Sequence, residues 1–194
     1  MARLAVLASG NGSNFQALAE ALRADGGHEA ALLVCDRPGA FALERAARLG
    51  IPARLVRYAG RPRGDAEAEM AAALEEADVD LVALAGFMRL LGPSLVERWE
   101  GRMVNVHPAL LPAYPGTRSI ERAWEAGDAE LGVTVHFVDR GMDTGRIIGQ
   151  ARVPRGETLE ATEEAVHRAE HALYPRIVLD LLDGIPGAEA PRRT

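Results

Sequence analysis

The 194 residues are 48% hydrophobic, 26% charged and 5% aromatic, with a formal net charge of −6. This is the balance of an ordinary soluble globular chain, long enough to bury about 70% of its unfolded surface. Cys35 is the only cysteine and all 22 basic residues are arginine, which excludes an intrachain disulfide, a cysteine-rich zinc site, a phosphate-loop lysine and a Schiff-base lysine.

Leu4–Ala8 is a short apolar run of the buried-strand type, broken at Gly10 and Gly12, and Ser13 to about Asp25 places Phe15, Leu18 and Leu22 on one helical face. Ala30–Cys35 reads as a second strand, Ala40–Leu49 as a helix ended by Gly50 and Pro52, and Ala53–Val56 as a third strand. A charged helix over Asp65–Ala77 leads to a strand at Asp80–Ala85, a proline-initiated helix at Pro93–Trp99 and a strand at Met103–Val106. That alternation predicts an α/β fold with a doubly wound, mostly parallel sheet.

The prolines at 108, 112 and 115 predict a rigid loop before a helix at Ser119–Ala126. Two β runs then follow in succession, Gly132–Val138 and Ile147–Val153, as a late antiparallel strand pair joined by a turn-rich segment. Leu159–Leu182 has helical apolar spacing through Val166, Ala169, Leu173, Ile177 and Leu181, with a kink expected at Pro175, and the tail after Gly184 is expected to be loose. No apolar run approaches the ~18 residues of a membrane helix and no signal-peptide pattern opens the chain. The acidic balance lacks the basic stripe that nucleic acid demands. A cytoplasmic protein with small-molecule ligands, and with neither nucleic acid nor membrane as partner, is the expectation.

Gly10-Asn11-Gly12-Ser13-Asn14 lies between the first strand and the first helix, where backbone N–H groups and a helix N-terminus can hold a phosphate. The alternative is a tight turn with Ser13 or Asn14 as the helix cap. A dinucleotide fingerprint lacks its third glycine, since Phe15 stands there, although Asp36 follows the second strand where a ribose-binding acid belongs. His167-Arg168-Ala169-Glu170-His171 matches an inverted zinc-protease pattern but has little chain after it for a further ligand, so no metal is expected. Ser13 and Ser119 sit in no nucleophile elbow.

Asn105-Val106-His107-Pro108 is the sharpest feature, because residues two apart on a strand share a face and can converge on one atom. An amide N–H and a protonated imidazole suit an oxyanion. Asp143, in the turn between the late strands, is the carboxylate best placed to hold and charge that imidazole, and its plainer reading is a turn residue.

Four segments resemble, in order and over nearly the whole chain, the phosphoribosylglycinamide formyltransferase family, the folate-dependent transformylases of purine biosynthesis. They are Ser9–Asn14, Leu84–Arg89, Asn105–Pro112 and Glu170–Pro175. The resemblance implies one formyltransferase domain over residues 1–185, with 186–194 as the loose tail. It implies 10-formyltetrahydrofolate as co-substrate, no metal, 5'-phosphoribosylglycinamide as acceptor, and a monomer or homodimer. Gly12, Ser13 and Asn14 would hold the acceptor's phosphate and Glu170 its ribose. Met88, Arg89, Leu90 and Leu91 would line the pterin pocket, with Asn105 also on the folate side, and Arg63 and Arg89 would meet the folate's carboxylates. Asn105 and His107 would stabilise a tetrahedral intermediate, His107 donating a proton and Asp143 favouring the charged ring. Ala109 stands where the family often has serine, and Thr117-Arg118-Ser119 lacks histidines found in some relatives.

A formyltetrahydrofolate hydrolase is the competing enzyme. It would be expected to carry a regulatory domain before the first strand, which starts here at about Arg3. A methionyl-tRNA formyltransferase would need a basic tRNA-binding domain. A non-catalytic nucleotide-binding module would use the glycine loop and Asp36, with no reason for Asn105, His107 and Asp143 to meet.

Overall fold

The computed structural model describes residues 1–185; the tail expected over 186–194 lies outside the described residues. Seven strands form one sheet in the order β3-β2-β1-β4-β5-β6-β7. Strands β1 (Arg3–Ala8), β2 (Glu29–Cys35), β3 (Ala53–Leu55), β4 (Leu81–Leu84) and β5 (Met103–His107) are parallel, while β6 (Glu130–Phe137) and β7 (Ile147–Pro154) add on antiparallel. The helices are α1 (Ser13–Asp25), α2 (Phe41–Leu49), α3 (Arg63–Glu76), α4 (Pro93–Arg98), α5 (Ser119–Ala126) and α6 (Leu159–Asp183). None of them is long and apolar enough to cross a membrane.

Side chains alternate across the strands and so build two apolar layers. Leu4, Val6, Ala83, Val104, Val106, Val133 and Val135 meet α1, α2, α5 and α6 on one face. Ala5, Leu7, Val34, Val82, Leu84 and Met103 meet α3 and α4 on the other. The expected architecture and the expected order of elements along the chain hold, with boundaries moved by a few residues: α3 begins at Arg63, directly after Pro62, and β6 begins at Glu130. Pro175 lies inside α6, which continues for 25 residues as one helix, so the expected kink does not divide it. Tyr174 beside it is fully buried, and its hydroxyl lies 3.0 Å from the Leu84 carbonyl and 3.2 Å from that of Val104, latching α6 to the ends of β4 and β5.

The strand order reverses between β1 and β4, and the crevice outside the carboxyl ends of strands at such a point is where open α/β sheets bind ligands. The second face carries the polar residues of β5 and β6. The register sets Asn105 opposite His136 and His107 opposite Thr134. Because their neighbours Val104, Val106, Val133 and Val135 point into the first layer, these four polar residues share the opposite face.

Candidate active site

A cavity of about 530 Å³ lies at this reversal. The loop after β1, the segment Leu84–Leu91 after β4, the end of β5, the β6–β7 loop and two residues of α6 all reach it. It gathers Gly12, Ser13, Asn14, Met88, Arg89, Leu90, Leu91, Asn105, His107, Asp143 and Glu170. Arg63 is the exception among the expected residues. It borders a second cavity with Tyr58, Arg61, Met88, Arg89 and Leu90, and its Nε donates to Glu67 Oε1 at 2.7 Å.

Gly12 opens α1 at φ 76°, and a Cβ there would lie 2.7 Å from the Ala42 Cβ, so both conformation and space require glycine. No side chain caps the helix, which disposes of Ser13 or Asn14 as its cap and leaves the first-turn N–H groups facing the cavity end of β1. Asn14 Nδ2 donates to Glu170 Oε2 at 2.9 Å, and His167 Nδ1 lies 3.0 Å from the same oxygen. Glu170 is buried, and Asn14 Oδ1 is a buried acceptor without a protein partner. The hydrogen bond that the His167 ring donates to Glu170 raises the His167 pKa, and burial only partly opposes it.

Elsewhere in the cavity, Asp143 Oδ2 lies 3.5 Å from His107 Nδ1 and accepts from Gly116 N–H at 2.7 Å. Its Oδ1 lies 3.5 Å from Asn105 Nδ2 and 3.6 Å from His136 Nε2. Burial pushes the Asp143 carboxyl up, but His136, the Gly116 N–H and the charge of His107 outweigh it and hold the group below the ordinary aspartate value. His107 is buried, and its Nε2 sits 2.9 Å from the Tyr114 carbonyl. Both ring nitrogens therefore face acceptors, the arrangement suited to a doubly protonated imidazole.

Asp143 has φ 56°, a left-handed conformation unusual for a residue other than glycine. The loop that imposes it is braced locally, since Asp139 Oδ1 accepts from Gly141 N–H at 3.0 Å and from the Thr144 hydroxyl at 2.8 Å. Gly145 closes the loop against β6, and a Cβ there would fall 1.7 Å from the Phe137 carbonyl oxygen.

Two site residues have no place in the sequence reading. His136 is buried, its Nδ1 2.8 Å from the Phe137 carbonyl and its Nε2 3.2 Å from Asn105 Nδ2. The ring is thus fixed between the Phe137 carbonyl and the Asn105 amide, and its Nε2 edge faces the amide and the Asp143 carboxylate together. The Thr134 hydroxyl donates to the Ala109 carbonyl at 2.6 Å and accepts from Leu111 N–H at 3.0 Å, holding the segment that follows His107. Their signal was available: polar residues at alternate positions in the otherwise apolar Val133-Thr134-Val135-His136 run. The zinc reading of His167 and His171 gains nothing from the geometry. His167 pairs with Glu170, and among the described residues no group of three or more His, Cys, Asp or Glu side chains could hold a metal ion.

An open α/β sheet whose reversal point brings an uncapped, glycine-opened helix, an amide, an imidazole and a carboxylate to one cavity has the parts of a group-transfer enzyme. Comparison with known proteins makes this specific. Residues 2–178 match the formyl transferase family model, and the chain belongs to the formyl transferase family. It is 44% identical over 193 residues to a phosphoribosylglycinamide formyltransferase of Bacillus subtilis, covering 94% of this chain and 95% of that one. It is 45% identical over 188 residues to the trifunctional purine biosynthetic protein adenosine-3 of Drosophila melanogaster, covering 94% of this chain but only 14% of the length of that much longer relative. The crystal structure of glycinamide ribonucleotide transformylase 1 from Geobacillus kaustophilus superposes with a TM-score of 0.88 at 51% identity, covering 94% of this chain and 99% of that one.

Proposed function

We propose that the enzyme transfers the formyl group of 10-formyltetrahydrofolate to the amine of 5'-phosphoribosylglycinamide. The observation that carries this reading is a single cavity bordered at one end by the uncapped α1 N-terminus and at the other by Asn105, His107 and Asp143. The first suits a phosphomonoester and the second an acyl transfer.

Gly12, Ser13 and Asn14 hold the acceptor's phosphate through backbone N–H groups. Glu170 and the buried Asn14 Oδ1 meet the ribose hydroxyls, for which acceptor oxygens are the required chemistry. The pterin lies along Met88–Leu91, with Asn105 on the same side. Arg89 meets a carboxylate of the folate, and Arg63, across the second cavity, serves the outer part of the same tail.

The amine attacks the formyl carbon, and the carbonyl electron pair moves onto oxygen. The oxyanion is stabilised by the Asn105 amide and the His107 ring. Collapse breaks the bond to folate N10, which takes a proton from His107. The attacking nitrogen gives up one proton, so the ring ends as it began. The Asp143 carboxylate, held ionised, orients the ring and balances its positive charge. Because both ring nitrogens are engaged, proton delivery requires the Tyr114 or the Asp143 contact to open. The test is steady-state turnover with both substrates. Rapid transfer to another amine with none to glycinamide ribonucleotide, or hydrolysis to formate alone, would reject the acceptor.

A further inference from the structure

Asp36 follows β2, and its side chain is completely buried, 0% exposed. It does not border the cavity, so it is not the ribose-binding acid that a dinucleotide reading would need. A carboxylate at this depth is costly unless a cation meets it. Oδ1 has no hydrogen-bond partner, and the cation is supplied at Oδ2, which accepts from Arg89 Nε at 2.5 Å. Arg89 lies 53 residues further along the chain, and its side chain is 39% exposed and borders both cavities. One face of its guanidinium lies over the Tyr58 ring, 4.3 Å from the centroid.

The guanidinium is thus fixed along one edge and on one face, while its two terminal nitrogens have no hydrogen-bond partner among the described residues. We infer that Asp36 is a positioning residue that, from beneath the cavity floor, sets Arg89 as a preformed fork for a carboxylate of the co-substrate. The inference rests on the folate reading above and extends it. A long arginine side chain ordered before binding loses little freedom when a carboxylate arrives, and a planar fork aimed in advance discriminates for a planar anion. The neighbouring segment is held by other means. Met88 N–H donates to Ser9 Oγ at 2.9 Å and Gly92 N–H to Glu67 Oε1 at 2.9 Å, so the backbone around Arg89 does not depend on Asp36.

The experiment measures kcat and KM for 10-formyltetrahydrofolate and for an analogue whose glutamate is replaced by a neutral methylamide, in wild type, Asp36→Asn, Asp36→Ala, Arg89→Ala and the Asp36→Ala/Arg89→Ala double variant. Loss of Asp36 should raise KM for the natural co-substrate by about tenfold with kcat within about twofold, leave KM for the amide unchanged, and add nothing once Arg89 is gone. An equal rise for both co-substrates would make Asp36 a general anchor of the segment, and a fall in KM would make it a competitor for Arg89; either overturns the inference. Should Asp36→Ala not fold, the isosteric Asp36→Asn carries the same comparison. If wild type turned over no folate, the proposed reaction would fail. Direct binding of tetrahydrofolate against its amide would then still decide whether Asp36 presets Arg89.

Discussion

At the scale of single residues, the site turns on how a few polar groups share their partners. In the proposed reaction Asn105 and His107 address the formyl carbonyl, which requires that something else fix them, and His136 and Asp143 lie where they can do so. His107→Ala and Asp143→Asn should each lower kcat by about 10²–10³-fold with a small change in KM, the usual consequence of removing a group that acts on developing charge. Asp143 also couples stability to pH. Its folded-state pKa lies below 3.8, so its ionised form adds stability that is complete above that ordinary value and is lost as pH falls through the folded one. The gap between wild type and Asp143→Asn in urea unfolding should stay constant from neutrality to about pH 4 and close only below it. His167 has the opposite sign. Its pKa is raised above 6.5 by the Glu170 hydrogen bond, so the pair's contribution is whole below that value and vanishes as pH rises through the folded one. Thermal midpoints of wild type and Glu170→Gln should therefore differ more at pH 6 than at pH 9.

At the scale of elements, two close contacts hold helices in place around the cavity, one between α1 and α2 and one between α6 and the strands β4 and β5. Gly12→Ala would force a methyl against Ala42 from a left-handed backbone, and should destabilise the fold by about 2–4 kcal/mol. Where the variant still folds, KM for the acceptor should rise far more than KM for the folate, because the same backbone presents the N–H groups. Tyr174→Phe keeps the buried ring and removes only the hydroxyl shared by the Leu84 and Val104 carbonyls. A loss of about 1–3 kcal/mol is expected in denaturant titration, and an unchanged midpoint would show that α6 is held by apolar packing alone.

At the scale of the whole molecule, the alternation of apolar runs with glycine-broken helices made the parallel half of the sheet readable, because each element announces its own period. Asn105 and His107 were legible for the same reason, lying two apart on a strand that ends at a proline. Asp143 was legible as the carboxylate in the turn between the late strands, best placed to hold the ring, although an aspartate in a glycine-rich turn is by itself ordinary. What stayed hidden depends on pairing between distant segments. His136 matters through its position across from Asn105, and Asp36 through an arginine brought to it by the connection between β4 and α4. Arg63, expected at the folate, spends its Nε on Glu67 one helical turn away and borders the neighbouring cavity.

The polar square made by Asn105, His107, Thr134 and His136 also polices the assembly of the sheet. If β6 slipped by one residue against β5, its threonine and histidine would turn into the oily layer beneath α6, and a valine would stand beside Asn105 where His136 lines the cavity. A mispaired edge would therefore lose core packing and chemistry in the same step. Correct pairing of that edge and an intact site therefore stand or fall together.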